Sequence, residues 1–137
     1  MIDGGEHLWR CLKYIDLNMV RAGKVEHPSD WPWCGYRELV GKKRRDRLVD
    51  RKELLRALGD GYAEESVGMN YQEGIEETLS LQNAAREPLW TESLAVGRRN
   101  FVEETGRNIR NRMRVTVETT GDRNSTWVAR EDRTSYG

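Results

Sequence analysis

The residues best suited to chemistry lie in one predicted helix near the amino terminus, HLWRCLKYIDLNMVRAG, over residues 7–23. At about 100° per residue, its side chains divide into two faces. The apolar face carries Leu8, Leu12, Ile15 and Met19. The polar face spans an arc of roughly 80° and carries His7, Arg10, Tyr14, Asn18 and Arg21. The pattern predicts that the polar face lies in solvent and that a glycine cap at Gly23 ends the helix.

The polar face combines groups that suit contact with a phosphate. Arginine presents a planar fork to phosphate oxygens, a tyrosine hydroxyl can act as a nucleophile, and asparagine offers a donor or a metal-facing oxygen. The same spacing also fits an ordinary solvated face, on which Tyr14 covers neighbouring apolar surface. Spacing alone leaves both interpretations open.

The residue sequence of this region resembles that of a known protein family. The stretch YIDLNMVRAGKVEHPSDWPWCGYRELVG, Tyr14 to Gly41, resembles a segment of the REP-associated tyrosine transposases. That segment usually reads Y-I-E-L-N-P-V-R-A-G, then a short spacer, then D-[YW]-P-W-S-S-Y-R. These proteins belong to the HUH superfamily of single-strand DNA transposases. A later run, LWTESLAVGRRNFVEET over residues 89–105, is similar to the carboxyl-terminal region of some members.

The resemblance implies a function and a site. In that family the helix tyrosine attacks a phosphodiester of single-stranded DNA and forms a 5′-phosphotyrosine link, and Tyr14 matches its position. Asn18 matches a residue that helps to hold the divalent metal, Mg²⁺ or Mn²⁺. The resemblance therefore implies a transposase-like protein that acts in DNA transposition and recombination on single-stranded or hairpin DNA.

Two departures from the family pattern change this expectation. Met19 stands where the family has a proline, and the His-hydrophobic-His motif is missing, since the histidines are His7 and His27 alone. The simplest explanation is a carboxyl-terminal fragment of a transposase. Asn18 would then give an incomplete metal shell, and we expect the chain alone to bind no metal and not to cleave DNA. The alternative is a nonenzymatic helical module that binds DNA or regulates.

Charge is segregated along a chain whose formal net charge is zero. Residues 42–56 hold eight Lys or Arg against three Asp or Glu, whereas residues 60–92 hold eight Asp or Glu against one Arg. The basic blocks either face phosphates or pair only with the acidic block. The predicted DNA-binding residues are Arg10, Arg21, Lys42, Lys43, Arg44 and Arg45.

Other kinds of site find little support. His7, Cys11, His27 and Cys34 are zinc-ligand types, but their spacings fit no standard zinc pattern. Two cysteines do not form a disulfide framework and are expected to be reduced. No signal peptide or run of about 18 apolar residues is visible, so the expected location is cytoplasmic, without a membrane partner.

The predicted fold class is mainly α, with a small β-hairpin near the carboxyl terminus. The resemblance implies the carboxyl-terminal helical part of a ferredoxin-like α+β transposase fold. We expect three segments: a tyrosine-helix segment, a helical region, and a hairpin with a flexible tail, over residues 1–41, 42–112 and 113–137.

Several local elements are expected along the chain. After the tyrosine helix, Trp31, Trp33 and Tyr36 are expected to pack back on it rather than to stack on bases. The remaining elements are a helix over 50–58 capped by Asp50, a helix over 71–85, a helix–turn–helix-like pair over 91–96 and 98–112, and strands over 115–119 and 125–129.

Overall fold

The computed structural model describes residues 1–42, 45–82, 84–109 and 113–132. The helices in these ranges are α1 (Glu6–Asp16), α2 (Asn18–Arg21), α3 (Tyr36–Leu39), α4 (Arg51–Leu58), α5 (Glu64–Ser80), α6 (Pro88–Glu92) and α7 (Arg99–Ile109), with a 3₁₀ turn at Pro28–Asp30. The strands are β1 (Ala95–Gly97), β2 (Val115–Thr119) and β3 (Trp127–Glu131). The chain is about 50% helical with a small antiparallel sheet, in agreement with the mainly helical class expected.

The chain forms two compact units. One contains Met1–His7 and Glu87–Gly137, and the other contains Leu8–Arg86. The amino-terminal residues therefore group with the distant carboxyl-terminal part of the chain. The three segments expected from the sequence stay a prediction. No helix of the described residues has the length and apolar character needed to cross a membrane.

The unit Leu8–Arg86 is built around an aromatic and aliphatic core. The ring of Tyr71, which is fully buried, meets the ring of Trp9 edge-on, with centroids 5.1 Å apart and planes at 81°. Such edge-to-face pairs are favoured by the quadrupoles of the rings. The buried members of this core are Trp9, Leu17, Tyr36, Leu39, Leu58, Val67, Tyr71 and Ile75.

The buried face of the tyrosine helix differs from the predicted one. Ile15, expected in the core, is 52% exposed, whereas Tyr14, Asp16 and Leu17 are 7%, 4% and 2% exposed. The predicted single helix is also interrupted at Leu17, because α1 ends at Asp16 and α2 begins at Asn18. The prediction failed because Asp16, a charged residue, is buried. The helix face that contains Asp16 is therefore turned towards the core and not towards solvent.

The ends of the predicted helices are partly confirmed. Gly23 has a φ of +65°, as expected for a left-handed cap. The Asp50 side chain caps α4 and accepts from the backbone N–H groups of Lys52 and Glu53 at 3.0 and 3.1 Å. The helix expected over 71–85 is wrong in its bounds, since α5 runs over Glu64–Ser80 and uses Val67, Tyr71 and Ile75, spaced four residues apart, as its buried edge.

The other unit contains the sheet, in the order β1-β3-β2. The predicted hairpin is confirmed, since β2 and β3 pair antiparallel with Val117 opposite Ala129. The helix–turn–helix prediction is wrong, because a strand, β1, lies between α6 and α7 and pairs antiparallel with β3. Ala95 and Val96 of this strand are almost fully buried. Two adjacent apolar residues fit a buried helix as well as a buried strand, so the sequence pattern did not distinguish the two.

Within this unit, an ion pair joins the amino-terminal residues to the residue that follows β1. The backbone N–H of Asp3 donates to the carbonyl of Val96 at 2.9 Å. The Asp3 carboxylate accepts from Nε of Arg98 at 2.7 Å and from its Nη2 at 3.1 Å. Burial alone would raise the pKa of this carboxyl, but the hydrogen bonds and charge of Arg98 outweigh it and hold the pKa below its ordinary value.

Candidate functional site

The structure brings three of the predicted site residues together. Tyr14 lies in α1, while Asn18 and Arg21 begin and end α2. The Arg21 guanidinium carbon lies 3.7 Å from the centroid of the Tyr14 ring. Its Nη2 donates to the Tyr14 carbonyl at 2.5 Å and also to Oδ1 of Asn18. The phenol, the amide and one guanidinium therefore form a cluster, as the helical spacing predicted.

This cluster does not present Tyr14 to solvent as expected. The residue is 7% exposed, and the guanidinium of Arg21 covers one face of its ring. A cation placed over an aromatic face is held there by the charge distribution of the ring. At this exposure, Tyr14 offers little surface to a phosphodiester while Arg21 stays in place.

The surroundings of Asn18 do not fit a divalent metal. Its side-chain oxygen already accepts a hydrogen bond from the Arg21 guanidinium, so a cation already contacts the one atom of Asn18 that could bind a metal. Mg²⁺ and Mn²⁺ require several oxygen ligands, with carboxylates among them. No group of three or more His, Cys, Asp or Glu residues suited to a metal occurs in the described ranges. No step through a metal follows from these residues.

The predicted basic run is only partly described. Lys43 and Arg44 lie outside the described residues, while Lys42 and Arg45 are exposed. Arg10, one helical turn before Tyr14, is half-buried.

A buried carboxylate that sequence reasoning missed holds the backbone just after this basic run, which is called the basic loop below. Oε2 of Glu38, which is 6% exposed, accepts from the backbone N–H groups of Leu48 and Val49 at 2.9 and 2.8 Å. At the other end of the loop, the backbone N–H of Lys42 donates to the carbonyl of Arg37 at 2.9 Å. Both ends of the basic loop are thus fixed to α3.

Asp16 is the second buried carboxylate that sequence reasoning missed. Its Oδ1 accepts from the backbone N–H of Gly35 at 2.9 Å, and its Oδ2 accepts from the Tyr71 hydroxyl at 2.7 Å. Burial raises the pKa of this carboxyl, although the hydrogen bonds from Tyr71 and from the backbone N–H groups of Gly35 and Tyr36 act in the opposite direction. Asp16 therefore ties the tyrosine helix both to the start of α3 and to α5.

A serine, a histidine and a glutamate form a hydrogen-bonded chain beside this network. Nδ1 of His27 lies 2.7 Å from Oγ of Ser29, and its Nε2 lies 2.9 Å from Oε1 of Glu76. The backbone N–H of Ser29 also donates to Nδ1 at 3.0 Å, so the imidazole caps the 3₁₀ turn. These hydrogen bonds attach the His27–Ser29 turn to α5, so their role is structural.

The three aromatic side chains of the Trp-Pro-Trp region take different positions. Tyr36 is buried in the core, at 1% exposure, as expected. Trp31 is half-buried. The expected packing of Trp33 is wrong, since this side chain is 84% exposed.

Comparisons with known proteins identify no relative. No protein-family model matches the chain, and no match was found among curated proteins or among solved structures.

Proposed function

We propose that this protein is transposase-like and acts on single-stranded or hairpin DNA in DNA transposition, with Tyr14 as the residue that attacks the phosphodiester. This proposal goes beyond the expectation above that the chain alone does not cleave DNA. The observation that carries the proposal is the cluster in which Arg21 contacts both the Tyr14 ring and the Asn18 amide. Of these residues, Tyr14 and Asn18 are the two for which the resemblance to REP-associated tyrosine transposases implies a shared site. The ferredoxin-like α+β fold of that family belongs to the same proposal.

The chemistry of the cluster supports a phosphate as substrate. A tyrosine hydroxyl has an ordinary pKa near 10 and is a weak nucleophile at neutral pH. Positive charge beside it offsets the charge of an incoming phosphodiester and of the developing transition state. Arg21 contacts Tyr14 and is chemically suited to this role, because guanidinium groups bind phosphate oxygens through paired hydrogen bonds.

A second candidate is a nonenzymatic protein that binds single-stranded DNA. The burial of Tyr14 beneath Arg21, together with the hydrogen bond that occupies Asn18, favours it. In this case the cluster stabilises the end of the tyrosine helix, and DNA is bound through exposed cations such as Lys42 and Arg45.

One experiment separates the two candidates. The full chain is mixed with end-labelled single-stranded hairpin DNA, with and without Mg²⁺ or Mn²⁺. Binding is measured by anisotropy over a range of salt concentrations. The mixture is then denatured and run on a gel that retains only covalent protein–DNA links. Tyr14→Phe removes the nucleophile, and Tyr62→Phe serves as the matched control, because it also removes one hydroxyl from an aromatic ring of the same unit.

The results assign the function. Salt-sensitive binding with a covalent link that is lost in Tyr14→Phe and kept in Tyr62→Phe supports attack by Tyr14. Binding of the same affinity without any covalent link rejects the nucleophile and supports the second candidate. Absence of binding to single-stranded DNA at low salt refutes both.

A further inference from the structure

The structure places one aromatic ring where a nucleobase can reach it. Of the aromatic residues in the described ranges, Trp33 alone is largely exposed, at 84%. The others are buried or half-buried. We propose that Trp33 stacks on a base of single-stranded DNA, with Arg37 and Lys42 binding the adjoining phosphates. This inference rests on the proposed function, because it names how that DNA is held.

The backbone that presents Trp33 is fixed on both sides. The backbone N–H of Cys34 donates to the carbonyl of Trp31 at 3.5 Å, which closes a four-residue turn with Pro32 and Trp33 at its centre. Proline at the second position of such a turn has its φ set in advance. The Cys34 sulfur lies 3.3 and 3.2 Å from the carbonyl oxygens of Pro28 and Trp31, and its single S–H is shared between these two acceptors.

The residue after Cys34 is anchored as well. The backbone N–H of Gly35 donates to the buried carboxylate of Asp16 at 2.9 Å. Trp33 is therefore carried by a short turn held to the core, and less conformational freedom is lost when it stacks on a base than a ring on a free loop would lose.

Two cations lie in or shortly after α3, the helix that follows this turn. Arg37 donates from Nε and Nη2 to the carbonyl of Ser29 at 2.9 and 2.6 Å, so its guanidinium bridges the two ends of the segment that contains Trp33. The Arg37 carbonyl accepts from the backbone N–H of Lys42 at 2.9 Å. Both side chains belong to exposed residues, and phosphates that flank a stacked base require such cations.

The local charge favours a polyanion over a neutral or basic partner. Residues 30–47 contain six Lys or Arg against three Asp or Glu. One of the three acids, Glu38, is buried and accepts hydrogen bonds from two backbone N–H groups. The other two, Asp30 and Asp46, are exposed. An exposed indole within a net positive segment is the combination that binds single-stranded nucleic acid without sequence preference.

The test compares two probes and two matched variants. Binding of the full chain is measured by anisotropy on a labelled oligonucleotide of about 12 nucleotides, within the usual range of site sizes. The second probe has the same phosphodiester backbone but no bases. Trp33→Ala removes the ring, and Trp33→Phe restores a smaller one. Leu48→Ala is the control, since Leu48 is an apolar side chain of the same unit and is 90% exposed. Circular dichroism checks that each variant is folded.

The expected results are specific to stacking. Trp33→Ala should bind the normal oligonucleotide about 5-fold to 150-fold more weakly than the unmodified protein, and Trp33→Phe should recover part of the loss. Trp33→Ala and the unmodified protein should bind the base-free probe with equal affinity. The dependence of binding on salt should be unchanged in Trp33→Ala, whereas Lys42→Gln should reduce its logarithmic slope by about 0.7.

Other results overturn the inference. If Trp33→Ala binds both probes as the unmodified protein does, Trp33 does not stack on bases, while the proposed function stands. If Trp33→Ala and Leu48→Ala lose affinity equally, the effect is general apolar contact. If Trp33→Ala instead abolishes self-association in sedimentation, the ring serves a protein interface. If the unmodified protein binds neither probe, the proposed function itself has failed.

Discussion

Replacement of Asp16 by alanine should destabilise the unit Leu8–Arg86 more than any loss of apolar contact at this small side chain could explain. The carboxylate accepts from the fully buried Tyr71 hydroxyl at 2.7 Å and from the backbone N–H of Gly35 at 2.9 Å. A buried donor left without an acceptor costs about 1–3 kcal/mol. The buried Tyr71 hydroxyl and the half-buried Gly35 N–H would both lose their acceptor, which gives an expected loss of up to about 2–6 kcal/mol in the free energy of unfolding. Relief of the buried charge reduces this loss.

A double-mutant cycle tests this reasoning. The free energy of unfolding is measured by denaturant titration for Asp16→Ala, Tyr71→Phe and the double variant. Tyr71→Phe removes one of the two orphaned donors, so the double variant should be more stable than the sum of the two losses predicts. Additive losses, or an Asp16→Ala variant within about 0.5 kcal/mol of the unmodified protein, would show that this network contributes little.

The pH dependence gives an independent test of the same carboxylate. Burial raises its pKa in the folded state above the ordinary 3.8. Asp16 therefore contributes stability that is fully present below the unfolded value and is lost as pH rises through the raised folded pKa. Relative to Asp16→Asn, which cannot titrate, the unmodified protein should gain stability when the pH is lowered from 7 towards 4. A constant difference between the two over this range would contradict the assignment.

Three further outcomes follow from contacts within each of the two units. Asp3→Asn should lose about 1–3 kcal/mol at pH 7. Because the pKa of Asp3 is lowered, its stabilisation should be present above pH 3.8 and lost as pH falls through the folded value, as unfolding at a series of pH values would show. Gly97→Ala, whose new Cβ would lie 2.3 Å from Cβ of Asp3, should lower the melting temperature, while Gly61→Ala, with open space around it, should not. Leu17→Ala should cost about 2–5 kcal/mol in denaturant titrations and Ile15→Ala less than about 1 kcal/mol, in keeping with their 2% and 52% exposure.

Local signals in the sequence predicted the elements that local chemistry determines. Asp50 precedes a helix with an apolar edge, and the cap and the helix both occur. The alternation of Val115 and Val117 with polar residues predicted one strand, and the turn cluster after it predicted the return strand that pairs with it. In each case the residues that pair by hydrogen bonds lie close together in the sequence, so a local sequence pattern can predict the element.

The elements that were missed depend on distant partners. Ala95–Gly97 is only three residues long, and its partner strand begins some thirty positions later at Trp127. Its burial on both sides leaves no alternation of polar and apolar residues to reveal a strand. The phase of the tyrosine helix failed for a related reason, since Asp16 is buried by contacts with Gly35 and Tyr71 that no local pattern encodes.

The same carboxylate connects the two halves of the proposed DNA site. Asp16 lies two residues after Tyr14 in the chain, and its partner Gly35 lies two residues after Trp33. The hydrogen bond between them therefore fixes the turn that carries the exposed indole against the helix that carries the phenol. If one strand of DNA stacks on Trp33 while its phosphate approaches Tyr14, the separation of these two contacts along the strand depends on a hydrogen bond that involves neither residue. Asp16→Ala, which removes the acceptor for the Gly35 N–H, should then alter which phosphodiester reaches Tyr14 more than it alters the affinity for DNA.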